Sequence, residues 1–222
     1  MTTSGPLRLA HRGDWRRGPE NSLAAFRAAL AIPGCDGLEF DVRVAADGVP
    51  VVYHDETLTR VHDRPERIDA VRSDVLVDLG IPTLESLLLT VGRRPFLDVE
   101  FKVDPGRAGV EILAAGRGPE FRNAIVSSFD RRALEGVRRR APAWGCWLNA
   151  NDLDATTLAD AQSLGCRGIS IEWHALDAAA VERGRGAGFE VAAWTVRRRS
   201  TFDRLAALGV VAVCVEAAAL DG

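Results

Sequence analysis

Residues 9–26 read LAHRGDWRRGPENSLAAF and residues 38–60 read LEFDVRVAADGVPVVYHDETLTR. The spacing of polar residues in the second stretch decides the fold. Glu39 and Asp41 stand two apart in an apolar run. In a strand, side chains at i and i+2 share a face. The alternate residues Leu38, Phe40 and Val42 are apolar and are expected to pack outward against helices. Two carboxylates are thus aimed into a common interior, where uncompensated charge is costly. A hard divalent cation is the simplest compensation, because such ions prefer carboxylate oxygens.

Asp47-Gly48 is a two-residue hairpin signal. With those residues at the turn, Asp41 pairs opposite His54 on one face. A slip of one residue turns His54 away. Further along, Asp98, Glu100 and Lys102 alternate with apolar Leu97, Val99 and Phe101, so a second strand directs polar groups inward.

Short β-rich runs alternate with helical stretches through the rest of the chain, which is the pattern of βα units. Barrel strands are expected over 7–11, 38–44, 96–102, 124–128, 145–148, 168–172, 190–196 and 210–216, with 51–54 as the hairpin return. Helices are expected over 22–31, 84–91, 108–117, 131–140, 155–164, 178–187 and 201–208. Eight strands with interleaved helices predict an α/β fold, a (β/α)8 TIM barrel with a reduced final helix. A doubly wound open sheet is the alternative. The 222 residues suit one domain, 1–222, with residues 56–80 as a short insertion after the hairpin.

Composition narrows the function. A net charge of −3 with dispersed arginines argues against a nucleic-acid binder. Cys35, Cys146, Cys166 and Cys214 lack metal-site or C-x-x-C spacing and read as small buried thiols of a reducing compartment. The first residues, MTTSGPLRLAH, hold no apolar run, and no stretch approaches the roughly 20 apolar residues of a membrane span. The expectation is a cytoplasmic protein without stable membrane insertion. The excess of Arg over Lys is in keeping with a GC-rich bacterial source.

A barrel assembles its site at the C-terminal ends of its strands. His11, Glu39, Asp41, Glu100 and Lys102 all fall there. Two histidines beside convergent carboxylates have the composition of a general acid/base pair at a metal. His62 and His174 lack such company and read as loop residues. Arg12 reaches the site only if the chain turns at Gly13, and its fork then suits a phosphate. Lys102, the one lysine of the chain, suits either a phosphate oxygen or pairing with Glu100 or Asp98. Asn21, after Pro19-Glu20, reads as a helix N-cap.

His11-Arg12-Gly13, Pro19-Glu20-Asn21, Glu39-x-Asp41, Asp47-Gly48, His54-Asp55 and Glu100-Phe101-Lys102 together resemble the glycerophosphodiester phosphodiesterase family. The resemblance covers most of the chain and is strongest over its first half. It implies the same barrel and one divalent cation, Mg2+ or Ca2+. It also implies a phosphodiester substrate, with glycerol 3-phosphate and an alcohol as products. Trp194, in Ala193-Trp194-Thr195, matches a tryptophan that the family places near substrate. Its other reading is outer-layer packing. Ser127, Ser128 and Phe129 resemble the family's Ser-Phe strand end. Two features depart from the pattern: residues 56–80 form a short, aromatic-poor cap, and the last strand ends Val215-Glu216-Ala217 where many members have Thr-Asp before a proline.

The resulting assignment gives Glu39, Asp41 and Glu100 to the metal. His11 is the base and His54 the acid, and Arg12, Lys102 and Trp194 bind substrate. Two alternatives stay open: a non-catalytic phosphodiester-binding protein, and a metal-dependent barrel enzyme acting on a carbonyl substrate with Lys102 as base.

Overall fold

The computed structural model describes residues 5–222, so the part of the N-terminal leader reading that rests on residues 1–4 lies outside the described residues. The strands in chain order are β1 (Leu7–His11), β2 (Gly37–Val44), β3 (Pro50–Val52), β4 (Phe96–Phe101), β5 (Ala124–Ser128), β6 (Cys146–Ala150), β7 (Gly168–Glu172), β8 (Glu190–Val196) and β9 (Ala212–Val215). All pairings except that of β3 are parallel. β1 pairs with both β2 and β9, which closes eight strands into a barrel and excludes the open sheet.

The helices are α1 (Leu23–Leu30), α2 (Thr59–His62), α3 (Ser73–Asp78), α4 (Leu84–Val91), α5 (Gly106–Arg117), α6 (Arg131–Arg140), α7 (Ala155–Ser163), α8 (Ala178–Gly186) and α9 (Arg199–Leu208). Short polar residues start most of the longer ones. Ser22, Thr83, Asp130, Asp154 and Asp177 each accept a backbone N–H of their helix's first turn. Each such cap contributes about 1 kcal/mol. Only a 3-10 turn, Ala217–Ala219, follows β9, which is the reduced final helix.

The alternation in β2 and β4 partitions as expected. Leu38, Phe40, Val42, Leu97, Val99 and Phe101 lie fully buried against the helical layer. Phe26 of α1 meets Phe40 edge-on at 5.8 Å. Full burial of a side chain of this size contributes about 1.5–3 kcal/mol. The opposite face fills the barrel. Leu9, Ile125, Trp147, Ala192 and Ala212 close it below, while Glu39, Asp41, Asp98 and Glu100 stand above. Among the described residues no helix is long and apolar enough to cross a membrane.

The hairpin corrects one expectation. Val42 pairs with Val52 and Val44 with Pro50, and the Tyr53 N–H donates to the Asp41 carbonyl. Tyr53, not His54, therefore stands opposite Asp41. The cause is the turn: the Ala45 N–H donates to Val49 O and Gly48 sits at φ +81°, so three residues, Ala46 to Gly48, form the loop. Such a loop uses a left-handed glycine and moves the register by one. Residues 56–80 hold α2, α3 and a 3-10 turn, Ile68–Ala70. Their buried Leu58, Ile68 and Leu76 form a satellite core with Val51 and Tyr53.

Candidate active site

Parallel register sets the first layer of the site. His11 pairs opposite Glu39, Glu39 opposite Asp98, and Asp41 opposite Glu100. Strand geometry alone therefore gathers four acidic side chains. One oxygen from each of Glu39, Asp41 and Glu100 lies within 4.8 Å of the others. All three residues are buried.

Their protonation reflects that crowding. Burial and then the neighbouring carboxylates Asp41 and Glu100 push Glu39 well above the ordinary carboxylate range. Burial and the Asp41 charge raise Glu100 to about 7, against the opposing pull of Lys102. Burial likewise raises Asp98 to about 7, although it accepts the Ser127 Oγ hydrogen bond at 2.6 Å. Asp41 goes the other way. Burial would raise it, but Lys102, Arg12 and His54 hold it below its usual value. Lys102 Nζ lies 2.8 Å from Asp41 Oδ1 and also contacts Glu100 Oε1. Its ammonium is held charged against burial by those same carboxylates.

Glu39 Oε2 is buried without a hydrogen-bond partner, and Asp41 Oδ1 meets only the Lys102 ammonium, so both keep unpaired acceptor capacity. Unsatisfied buried carboxylate oxygens are expensive, and each suits a ligand position on a hard cation. The donor set, three carboxylates and no sulfur, fits Mg2+ or Ca2+.

The histidines arrive by different routes. His11 ends β1, and its Nδ1 lies 2.6 Å from Glu216 Oε1 while Nε2 lies 3.8 Å from Glu39 Oε2. His54 lies beyond the end of β3. It reaches the mouth because the strand has ended and the Arg43 guanidinium holds its carbonyl at 2.9 Å. Its Nδ1 lies 2.6 Å from Asp55 Oδ1. Burial holds the His54 ring below its usual pKa, with Arg12 and Lys102 adding to burial and Asp41 opposing it.

Arg12 enters as its sequence required. Arg12 (φ +57°) and Gly13 (φ +83°) both adopt the left-handed region. A Cβ on Gly13 would meet the Ala25 backbone at 2.7 Å, so this tight turn needs glycine. The turn sets Arg12 Nε 3.1 Å from Asp41 Oδ2 and Nη1 3.1 Å from Glu20 Oε1.

Asn21 corrects a second expectation. Ser22 caps α1, and Asn21, at φ +58°, instead donates from Nδ2 to Asp41 Oδ2 at 2.8 Å. It orients a metal-candidate carboxylate, a role its helix-start position concealed.

His11, Arg12, Glu39, His54, Glu100 and Lys102 line a cleft of about 230 Å3 together with Phe129, Asn149, Ser170 and Trp194, and Asp41 lies buried behind its wall. Trp194 Nε1 donates to the Ser170 carbonyl and its ring meets Phe129 edge-on at 5.3 Å, so it belongs to the cleft wall. His62 and His174 lie elsewhere, the latter against Glu172. The four cysteines are free, and Cys35 is the one not fully buried. Glu216 and Asp55, the carboxylates behind the histidines, received no role from sequence. A lone acid ending the apolar run 210–215 was the available signal for Glu216.

Comparison with known proteins agrees with this geometry. The family model described as "Glycerophosphoryl diester phosphodiesterase family" matches residues 11–86 and 98–220. A glycerophosphodiester phosphodiesterase of Caldanaerobacter subterraneus subsp. tengcongensis is 29% identical over 226 residues, covering 92% of this chain and 91% of its own. An Oleispira antarctica phosphodiesterase, solved with the product sn-glycerol-3-phosphate, superposes with a TM-score of 0.85 at 26% identity, covering 95% of this chain and 93% of that one. A glycerophosphodiester phosphodiesterase of Agrobacterium tumefaciens gives 0.81 at 25% identity, covering 97% and 98%. Barrel, acidic mouth and paired histidines thus coincide with a match along nearly the whole sequence, and the chain belongs to the glycerophosphoryl diester phosphodiesterase family of phosphoric diester hydrolases.

Proposed function

We propose that this protein, as a single barrel domain over 1–222 with residues 56–80 as its cap, hydrolyses glycerophosphodiesters to glycerol 3-phosphate and an alcohol. The observation that carries the reading is a cluster of three convergent carboxylates at a cleft that holds two histidines, each backed at Nδ1 by its own carboxylate. Glu39, Asp41 and Glu100 would hold one Mg2+ or Ca2+. When bound, that ion supplies Lewis-acid polarisation of a phosphate oxygen.

Each protein group then has a task. Arg12 and Lys102 neutralise the phosphodiester anion at the mouth. His11 Nε2, with Nδ1 committed to Glu216, takes the proton of the attacking oxygen, whether water or a substrate hydroxyl that first gives a cyclic phosphate. As the new P–O bond forms, the bond to the leaving oxygen breaks, and His54 gives that oxygen a proton. In the free protein the nearby cations help keep His54 neutral. A bound phosphodiester anion offsets Arg12 and Lys102 and favours the protonated acid. Trp194 and Phe129 offer an apolar wall to the rest of the substrate.

The test is incubation of the purified protein with glycerophosphocholine or glycerophosphoethanolamine in Mg2+ or Ca2+. Release of glycerol 3-phosphate is expected. Turnover of neither compound, nor of bis(4-nitrophenyl) phosphate, would leave a binding protein as the better reading.

A further inference from the structure

We propose that Glu216 is a positioning residue for the hydrolysis, fixing the His11 ring so that Nδ1 carries the proton and Nε2 presents a free lone pair to the mouth. This inference rests on the proposed function for its consequence in turnover, but the pair itself stands on geometry. His11 Nδ1 and Glu216 Oε1 are 2.6 Å apart, although 205 residues separate them. An ionised carboxylate only accepts hydrogen bonds, so at this distance the imidazole must be the donor and must hold its proton on Nδ1. The neutral ring then has one remaining nitrogen, Nε2, and that nitrogen faces Glu39.

Three further observations show that Glu216 is held to this task. Its other oxygen accepts the Arg197 Nε–H at 2.8 Å, so the carboxylate cannot rotate freely. Its backbone N–H donates to the Val196 carbonyl at 2.8 Å, and its carbonyl accepts from Ala219. Its side chain is almost fully buried. Burial would raise its pKa, but the bonds from His11 and Arg197 hold it down at about 2, so it is ionised near neutral pH. The closing strand of the barrel therefore delivers the acceptor to the histidine of the opening strand.

Fixing one tautomer matters because the alternative turns a protonated nitrogen toward the reacting oxygen and removes the base. A carboxylate that orients a working imidazole in this way is worth roughly 10- to 100-fold in activity.

The experiment compares wild type with Glu216→Ala, and with Glu216→Met, which likewise offers His11 no carboxylate acceptor, should the alanine variant not fold. Steady-state turnover of glycerophosphocholine is read beside 15N spectra of histidine-labelled protein near pH ~8.5, where imidazoles are neutral. The chain has four histidines, and His11 is identified by its loss in His11→Ala. The expected result is a kcat reduced ~10- to 100-fold with KM changed less than about 2-fold, and conversion of His11 from a pure Nδ1–H form to a mixture. Unchanged kcat would overturn the inference. So would a reduced kcat with the His11 tautomer intact, because that pattern belongs to a structural lesion. If wild type turns over neither glycerophosphodiester nor bis(4-nitrophenyl) phosphate, the hydrolytic reading fails. The spectra still decide the pair: retention of the Nδ1–H form in the variant overturns it.

Discussion

The two histidines of the mouth are supported in contrasting ways. His54 and its carboxylate Asp55 are chain neighbours, and the support continues outward through exposed groups: Arg60 Nε holds Asp55 at 2.6 Å, and the same guanidinium binds Glu20, which holds Arg12. His11 depends on Glu216, delivered across the closure of the barrel and buried beside it. One dyad is local, solvated and braced from the cap by Arg60. The other is long-range, shielded and carried by the barrel. The difference teaches that the same imidazole–carboxylate contact has a different sensitivity depending on whether water can replace the lost partner.

The comparison breaks most completely when the rings themselves are removed. His11→Ala and His54→Ala are each expected to lower kcat at least ~100-fold with melting temperature little changed. Near-wild-type turnover in either variant would remove that residue from the chemistry. Glu39→Gln or Glu100→Gln tests what the two dyads share. Loss of a metal ligand should lower activity by ~100-fold or more and abolish any melting-temperature rise on adding Mg2+ or Ca2+. A metal-linked rise that survives both changes would place the ion elsewhere.

The asymmetry itself predicts an ordering. Asp55→Ala leaves the His54 ring, one-third exposed, open to water. Its kcat is expected to fall by only ~10-fold or less, against a larger loss for Glu216→Ala. Equal losses would mean that exposure does not decide the matter. Arg60→Ala, half exposed, should be the mildest, within about 1 kcal/mol of wild-type stability and about 3-fold in activity.

Acid–base behaviour sharpens the account of the shared floor. Asp98 and Glu100 titrate at about 7 in the folded protein, raised chiefly by burial, against about 4 when unfolded. Between those values the folded state holds protons that the unfolded state has released. Metal-free stability therefore falls as pH rises through that window. A cation that requires the ionised carboxylates should stabilise more at pH ~8 than at pH ~5. Melting curves in EDTA and in saturating metal at both pH values check this. A gap independent of pH would contradict it.

Much of this was legible in the chain. Alternation in 38–42 and 97–102 placed Glu39, Asp41, Glu100 and Lys102 on one interior, because strand periodicity is local and rigid. Arg12 followed from Gly13. What escaped depended on turn geometry or on closure. The Asp47-Gly48 signal does not distinguish a two- from a three-residue loop, so the opposition of Asp41 and His54 failed while the arrival of His54 at the mouth did not. Asn21 was one residue from the cap position that Ser22 took, and its contact with Asp41 crosses to another strand. Glu216 meets His11 only when β9 closes on β1, which no local pattern encodes.

The most direct test of the central claim, that three buried carboxylates and two histidines form one metal-dependent phosphodiesterase centre, is 31P NMR of glycerophosphocholine with EDTA-treated protein, followed by Mg2+ or Ca2+. The account predicts an unchanged diester in EDTA and appearance of glycerol 3-phosphate once an ion is restored. Equal turnover in EDTA and in metal would contradict it.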